Sequence, residues 1–501
     1  MRYLVALRHA AYIRSLETTV RALCEHGHEV RILLGRPEVR VTGPAERLAT
    51  LTAELDGLTV GTGVEPRASR QRDLGGELRC WLDYLFFLQP AFERAPKIRA
   101  RGRRPLPAWL ADAMDHDAAS PEFRASVAAA VRALERVLPV SDEIRDCVAS
   151  ERPDVVLVLP LIERRSPQVG YLRAARDLGV PTALCVRSWD NLTTSGLIHE
   201  TPDLVTVWND AQLREAIDLQ GIPADHVVVT GAGMYDEWFE QRPRTSRAEF
   251  CARVGLPEDR PYLVYACSSN FIAPDEADWI VRWIEQIRRA APQLGDVPIL
   301  VRPHPGHTLL DGSPGAERLA TTPGVVLHPP GPAHPTIPEA LPEYYDTLHH
   351  AAAVIGINTS AMIESAMAGC GVYVLLAEPY RDTTQLGTPH FAHLRTAGGG
   401  LIEVAETVED HVAGLLRAVR GEDRDEVARR SEAFLSAFIR PHGLDRPATP
   451  IQVAELERLG ERRVAPVGRI PGPPEDELRA AAATLEGIFR IRPPGRIDGG
   501  T

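Results

Sequence analysis

The sequence predicts an α/β protein made of two Rossmann-like, doubly wound domains that face each other across a cleft. Three observations lead there. The chain has 501 residues, more than one hydrophobic core usually supports, so two domains of about 200–250 residues are expected. Continuous apolar runs alternate with segments of helical period over most of its length, the pattern of parallel sheets covered on both faces. The composition, 44% hydrophobic and 25% charged, is that of a soluble globular protein.

The elements come in order along the chain. YLVAL, the helical SLETTVRALCEHG and HEVRILL read as strand, helix, strand, with Leu16, Val20, Leu23 and Cys24 at helical spacing and Gly27 as C-cap. DVVLVLP (154–160), VGYLRAARDLG, TALCV (182–186), LVTVW (204–208), AQLREAIDLQG and HVVVTG continue the alternation. A charged, proline-containing stretch around EQRPRTSRAEF sets the boundary near residue 240. Then come YLVYAC, a helix over 275–290, PILV (298–301), VVLH (325–328), AAVIG, GVYVLL and LIEVA. The expected domains are therefore 1–240, with a helical insertion at about 70–150, and 241–420. A helical extension and loose tail would occupy 421–501, including the Ala-rich DELRAAAATLEGIF and the final IRPPGRIDGGT.

Several classes are excluded or disfavoured. The net charge of −12 argues against a nucleic-acid or anionic-membrane partner for the surface as a whole. The seven cysteines are scattered, without a CxxC pair, and suit neither a zinc site nor a disulfide scaffold. Arg8, His9 and Arg14 interrupt the first apolar run, so no signal peptide is expected. No apolar stretch reaches the ~20 residues of a membrane span, and a cytoplasmic protein is expected. Lys97 is the sole lysine against a wealth of arginine, a bias ascribed to a GC-rich, bacterial genome. WLDYLFFLQPAF beside RAPKIRARGRRP has two readings: peripheral membrane contact through residues 81–104, or, preferred, a helix packed on its domain with a solvated arginine loop.

In doubly wound sheets ligands bind beyond the carboxyl ends of the strands, and those ends are polar here. Arg8 and His9 follow the first strand; RSWDNLTTSG follows TALCV; Ser268, Ser269 and Asn270 follow YLVYAC; Arg302, Pro303, His304 and Pro305 follow PILV. GINTSAMIESAMAG (356–369) sets Asn358, Thr359 and Ser360 before a helix with one acid, Glu364. Free backbone N–H groups and two hydroxyls there suit a phosphate. Glu364 lies four residues after Ser360, one too many for a capping box, and is read as a ribose acceptor. The prolines flanking His304 present it and Arg302 rigidly toward a departing diphosphate. His304 and His307 alone are weak grounds for a metal. Asp190 is a candidate base with Trp189 as a stacking platform and Asn191 beside it; an Asx-type turn is the equal alternative, and His9 is the other base. Gln385, His390 and His393 lie in a loop suited to closing over the cleft.

These features resemble the GT-B glycosyltransferases: the opening YLVALRHAAYIRSLETTVRALCEHGHEV, VVVTGAGMYDEWF between the domains, RPHP, and GINTSAMIESAMAG. They are also similar to CDP-glycerol glycerophosphotransferases and the UDP-N-acetylglucosamine 2-epimerase group. The resemblance covers about residues 1–420. It implies a nucleotide-sugar donor held by Ser268, Ser269, Arg302, His304, Thr359 and Ser360, with Glu364 on the ribose and Asn270, Asn358, Gln385 and His390 nearby. It implies a hydroxyl acceptor near Arg8, Trp189 and Asn191, with His9 or Asp190 as base and His304 acting on the leaving group. Asn358 departs from the family pattern, which has a glycine-rich turn there. The expected reaction is sugar transfer from a nucleoside diphosphate without metal or other cofactor; polyol phosphate transfer from a CDP donor and nucleotide-sugar 2-epimerisation are the alternatives.

Overall fold

The computed structural model describes residues 1–35, 43–64, 70–115, 120–162, 166–305, 314–330 and 340–462, with isolated positions between 474 and 483. His307 and most of the Ala-rich segment and tail fall outside them.

The valine- and leucine-rich runs form two parallel sheets. The first holds β1 (Arg2–Leu7), β2 (Glu29–Leu34), β3 (Leu58–Thr62), β4 (Val155–Leu159), β5 (Thr182–Cys185), β6 (Leu204–Val207) and β7 (Val227–Val229), in the order β3-β2-β1-β4-β5-β6-β7. The second holds β8 (Leu263–Ala266), β9 (Ile299–Arg302), β10 (Val325–Leu327), β11 (Ala353–Ile355), β12 (Val372–Leu375) and β13 (Glu403–Ala405), in the order β10-β9-β8-β11-β12-β13. Chain order reverses between β1 and β4 in the first sheet and between β8 and β11 in the second, and each reversal opens a crevice at the strand ends. β3 is the strand the sequence reading lacks. LTVGT is an edge strand, mostly half-exposed, with no continuous apolar run to mark it.

Between β3 and β4 the described helices Arg70–Phe87, Pro96–Arg103, Ala108–Asp115, Pro121–Arg136 and Asp142–Glu151 form the insertion. It has an apolar core of its own around Tyr84, Phe87, Phe92, Ile98, Leu110 and Val131. Phe86, Phe87 and Phe92 pack on one another and are buried. These phenylalanines over 81–104 are covered by protein, as the preferred reading of a packed helix has it. No helix among the described residues is long and apolar enough to cross a membrane.

Beyond β13 the chain does not simply trail away. Helix Arg424–Phe438 covers the second sheet, with Phe434 and Phe438 in its core. Helix Ala448–Glu461 then returns to the first domain, where Val453, Leu456 and Leu459 join the core around β1 and β4. Asp236, in the VVVTGAGMYDEWF segment, fixes that return. Its carboxylate accepts from the backbone N–H of Ala448 (3.0 Å) and Thr449 (2.7 Å), capping the helix, and from Arg440 Nη2 (2.7 Å). Gly231, at φ 90°, lets the strand end pass beneath: a Cβ there would sit 2.7 Å from the Ala448 Cβ.

One buried histidine sets a pH limit on the second domain. His411 Nε2 accepts from Trp283 Nε1 at 3.1 Å, and burial pushes the imidazole down to about 4. The folded value lies below the unfolded 6.5, so this contribution is intact above pH 6.5 and is lost as pH falls toward 4. Between those limits it costs about 1.4 kcal/mol per pH unit. The H411Q chain, which keeps an acceptor for Trp283, is expected to lose less stability between pH 7 and 4.5 in urea denaturation; equal losses would refute this.

Candidate functional site

The crevice at the second sheet's reversal opens into a cavity of about 420 Å³ that both domains line. From the second domain come Cys267 and Ser269 after β8, Arg302, Pro303, His304 and Pro305 at the end of β9, and Asn358, Thr359, Ser360 and Glu364 after β11. Tyr344 and His390 complete that side. Arg14, Trp189 and Asp190 come from the first. Ten of the residues singled out in the sequence therefore share one cavity: Trp189, Asp190, Ser269, Arg302, His304, Asn358, Thr359, Ser360, Glu364 and His390.

Its floor is a chain of charge. Arg302 is 7% exposed and its guanidinium lies 4.2 Å from the centre of the Tyr344 ring, a cation–π contact. The Tyr344 hydroxyl donates to Glu364 Oε2, and Arg14 Nη2 reaches Oε1 of the same carboxylate at 3.2 Å. Both Glu364 oxygens are thus engaged, while Arg302 Nη1 is buried without a hydrogen-bond partner among the described residues. Burial pushes that guanidinium below its usual value, yet arginine stays charged. A buried cation with unused donors is costly alone and is satisfied by an anion.

Asp190 and His390 form a second cluster in the lining. Asp190 begins the helical turn Asn191–Thr194 but makes no side-chain cap hydrogen bond, so the Asx alternative has no support. Its Oδ1 accepts from Ser188 Oγ at 2.5 Å and its Oδ2 from Thr194 Oγ1 at 3.2 Å. Burial by itself would raise this carboxyl. A protonated His390 imidazole, the Ser188 hydroxyl and the Arg187 guanidinium outweigh burial and hold it below the usual aspartate range. His390 is 3% exposed, and burial drives it down to about 4 against the pull of Asp190. Asn358 Nδ2 lies 3.1 Å from His390 Nε2. Because Nδ2 only donates, Nε2 accepts and the ring proton sits on Nδ1, which has no partner among the described residues. A neutral imidazole with one spare N–H therefore stands beside an ionised carboxylate.

The domains meet around this cavity. Trp189 Nε1 donates to Ser360 Oγ at 3.2 Å, and the Trp189 and His390 rings pack edge to face at 4.8 Å. His393 Nε2 is 2.7 Å from Glu215 Oε1 across the seam. Lys97, on the insertion helix Pro96–Arg103, donates to the carbonyls of Phe271 (3.2 Å) and Ile272 (3.1 Å) in the loop after β8. Arg101, one turn on, lies over the Phe271 ring at 4.5 Å. The arginine-rich helix is thus a clamp on the second domain, a correction of the solvated loop expected for it.

Other expected site residues lie elsewhere. Ser268 is fully buried: its Oγ accepts from the Asn358 N–H at 3.2 Å and its own N–H donates to Glu276 Oε2 at 2.7 Å. Gln385 is fully buried too and holds backbone, accepting from Ala377 N (3.1 Å) and donating to Leu375 O (3.0 Å). Both are beneath the cavity, not in it. Asn191 is buried, and Asn270 is half-buried with Oδ1 lacking a partner among the described residues; neither lines the cavity. Arg8 and His9 also lie outside the lining. The His9 ring rests 4.2 Å from Tyr12, which in turn lies 4.9 Å under Arg187. Tyr344 is one lining residue that sequence reasoning missed, since an aromatic at helical spacing in LPEYYDTLH reads as core; Arg14 is another.

No protein-family model matches the chain, and no curated protein matches its sequence. Solved structures do match in three dimensions. UDP-GlcNAc 2-epimerase from Methanocaldococcus jannaschii is similar at TM-score 0.51 and 12% identity, over 91% of this chain and 100% of that chain. UDP-GlcNAc 2-epimerase from Neisseria meningitidis gives 0.50 and 12%, over 91% and 100%. A glycosyltransferase from Rickettsia africae gives 0.50 and 9%, over 92% and 98%. At such identities the likeness establishes architecture alone: two Rossmann-like domains in the GT-B arrangement.

Proposed function

We propose that the chain is a metal-independent glycosyltransferase that moves a sugar from a nucleoside diphosphate to a hydroxyl acceptor. The observation that carries this reading is Arg302: a buried guanidinium with an unused Nη1, lining a cavity that the Asp190 carboxylate also lines from the other domain. Departure of a diphosphate concentrates negative charge on the leaving oxygens, where Arg302, the Thr359 and Ser360 hydroxyls, the backbone N–H groups beside them and His304 would receive it. Asp190, across the cavity, would take the acceptor proton. The His390 Nδ1–H is a donor for a sugar hydroxyl between them. Lys97 and Trp189 hold the halves together, keeping water away from an oxocarbenium-like transition state. That one structural neighbour is named as a UDP-GlcNAc 2-epimerase and another as a glycosyltransferase agrees with such a donor.

A panel of nucleoside diphosphates and their sugars, screened by thermal shift on the wild-type and R302M chains, tests the reading. One diphosphate family is expected to stabilise the wild type. Its affinity should fall about 10–100-fold in R302M, the worth of a charge-assisted hydrogen bond. Stabilisation by no nucleotide, or by one that R302M binds equally well, would overturn it. Incubation of the stabilising donor with a library of hydroxyl acceptors then separates the reactions. Free diphosphate with a glycoside supports transfer; a nucleoside monophosphate would mean phosphoryl transfer, and an epimerised intact donor would mean 2-epimerisation.

A further inference from the structure

A second cluster of chemistry lies on the first domain, among residues that do not line the cavity. Helix Glu17–Glu25 ends at His26, and Gly27, at φ 80°, reverses the chain so that His28 starts back toward β2. Helix Ala448–Glu461 crosses this turn on its return from the second domain. His26 Nδ1 lies 2.9 Å and His28 Nε2 2.8 Å from the same Glu457 oxygen, Oε1. The three candidate ligand atoms all fall within 4.8 Å of one another.

We propose that His26, His28 and Glu457 form a zinc site that pins the returning helix to the first domain. Two imidazoles and a carboxylate suit zinc and its first-row neighbours rather than magnesium or calcium, which take oxygen ligands. Ligands at 2.0–2.2 Å from a tetrahedral ion sit about 3.3 Å apart, so each histidine–Glu457 separation needs to open by about half an ångström, and the His26 side chain, 52% exposed, has room to turn. The rest of the trio is preset. Val453 and Leu456 anchor the helix in the core, and Gln452 bonds Thr19 (2.6 Å) and Thr206 (2.8 Å). Separated from the cavity residues, the ion would act on stability: His26 and Glu457 are 431 residues apart, and clips that close long loops stabilise the most in principle.

Chelator-stripped, tag-free full-length protein titrated with Zn²⁺, and separately with Co²⁺ as a coloured stand-in, tests this. The expected result is one equivalent per chain, a raised melting temperature reversed by chelator, and Co²⁺ bands of nitrogen–oxygen coordination. His26→Ala, at a half-exposed position, should fold as the wild type does and bind at least about tenfold more weakly. Glu457→Gln should behave alike toward the metal. No uptake at micromolar zinc, or uptake that survives both substitutions, overturns the proposal and leaves a hydrogen-bonded staple only.

Discussion

Replacing Asp190 with asparagine is expected to lower turnover about 10²–10⁴-fold, the worth of a general base, with donor affinity and folding stability nearly unchanged. Asparagine matches the shape, and its carbonyl accepts from Ser188 where Oδ1 does now. Its amide donates to the Thr194 hydroxyl in place of Oδ2, so the turn at Asn191–Thr194 keeps its contacts. What disappears is the charge. Asp190 is held below the ordinary aspartate range, so the wild type should show an acid limb in its pH–rate profile only below that range. Steady-state kinetics with the donor identified by thermal shift, beside a urea titration of both chains, make the check. A variant that turns over normally would remove Asp190 from the reaction. A variant that fails to bind donor would place Asp190 on the wrong side of the cavity.

The sheets and the cavity were legible in the sequence for one reason. Parallel strands buried on both faces are continuous apolar runs, and the residues at the carboxyl end of each run lie at the crevice. Arg302, His304, Thr359 and Ser360 were found by that rule and share one cavity. The rule stops at residue type. It cannot separate a hydroxyl or amide that faces a ligand from one that props the backbone, so Ser268 and Gln385 looked like Ser269 and His390. Asn358, where the glycosyltransferase pattern that the sequence resembles is glycine-rich, shows why the distinction matters. Its N–H binds Ser268, and its Nδ2 lies 2.7 Å from Thr384 O and 3.1 Å from His390, tying the loop after β12 to the loop after β11. Glycine has no side chain for that task. Contacts between distant segments were equally invisible. Lys97 lies 174 residues from Phe271 and Arg14 lies 350 from Glu364, and no local periodicity encodes either meeting.

Beneath the cavity, bonded to Ser268, lies a buried acid whose removal should stabilise the protein. Glu276 is fully buried, receives the Ser268 N–H at 2.7 Å and the Tyr265 hydroxyl at 3.2 Å, and is pushed by burial up to about 8. The folded chain therefore keeps a proton that the unfolded chain gives up near 4.5. Stability should fall as pH rises from about 4.5 to about 8, and the full penalty, roughly 3–5 kcal/mol, is present above that. Glutamine keeps an acceptor for Ser268 and a donor for the Tyr265 oxygen but has no proton to lose. E276Q should match the wild type near pH 4.5 and exceed it by a few kcal/mol at pH 8.5 in guanidinium denaturation; a difference independent of pH would refute the assignment. The same ionisation places a negative charge behind Ser268 and Asn358, beneath the proposed diphosphate seat, where the low dielectric strengthens repulsion. Donor affinity of the wild type should therefore weaken above pH 8 while that of E276Q does not, which joins the stability of the second domain to the anion it is proposed to hold.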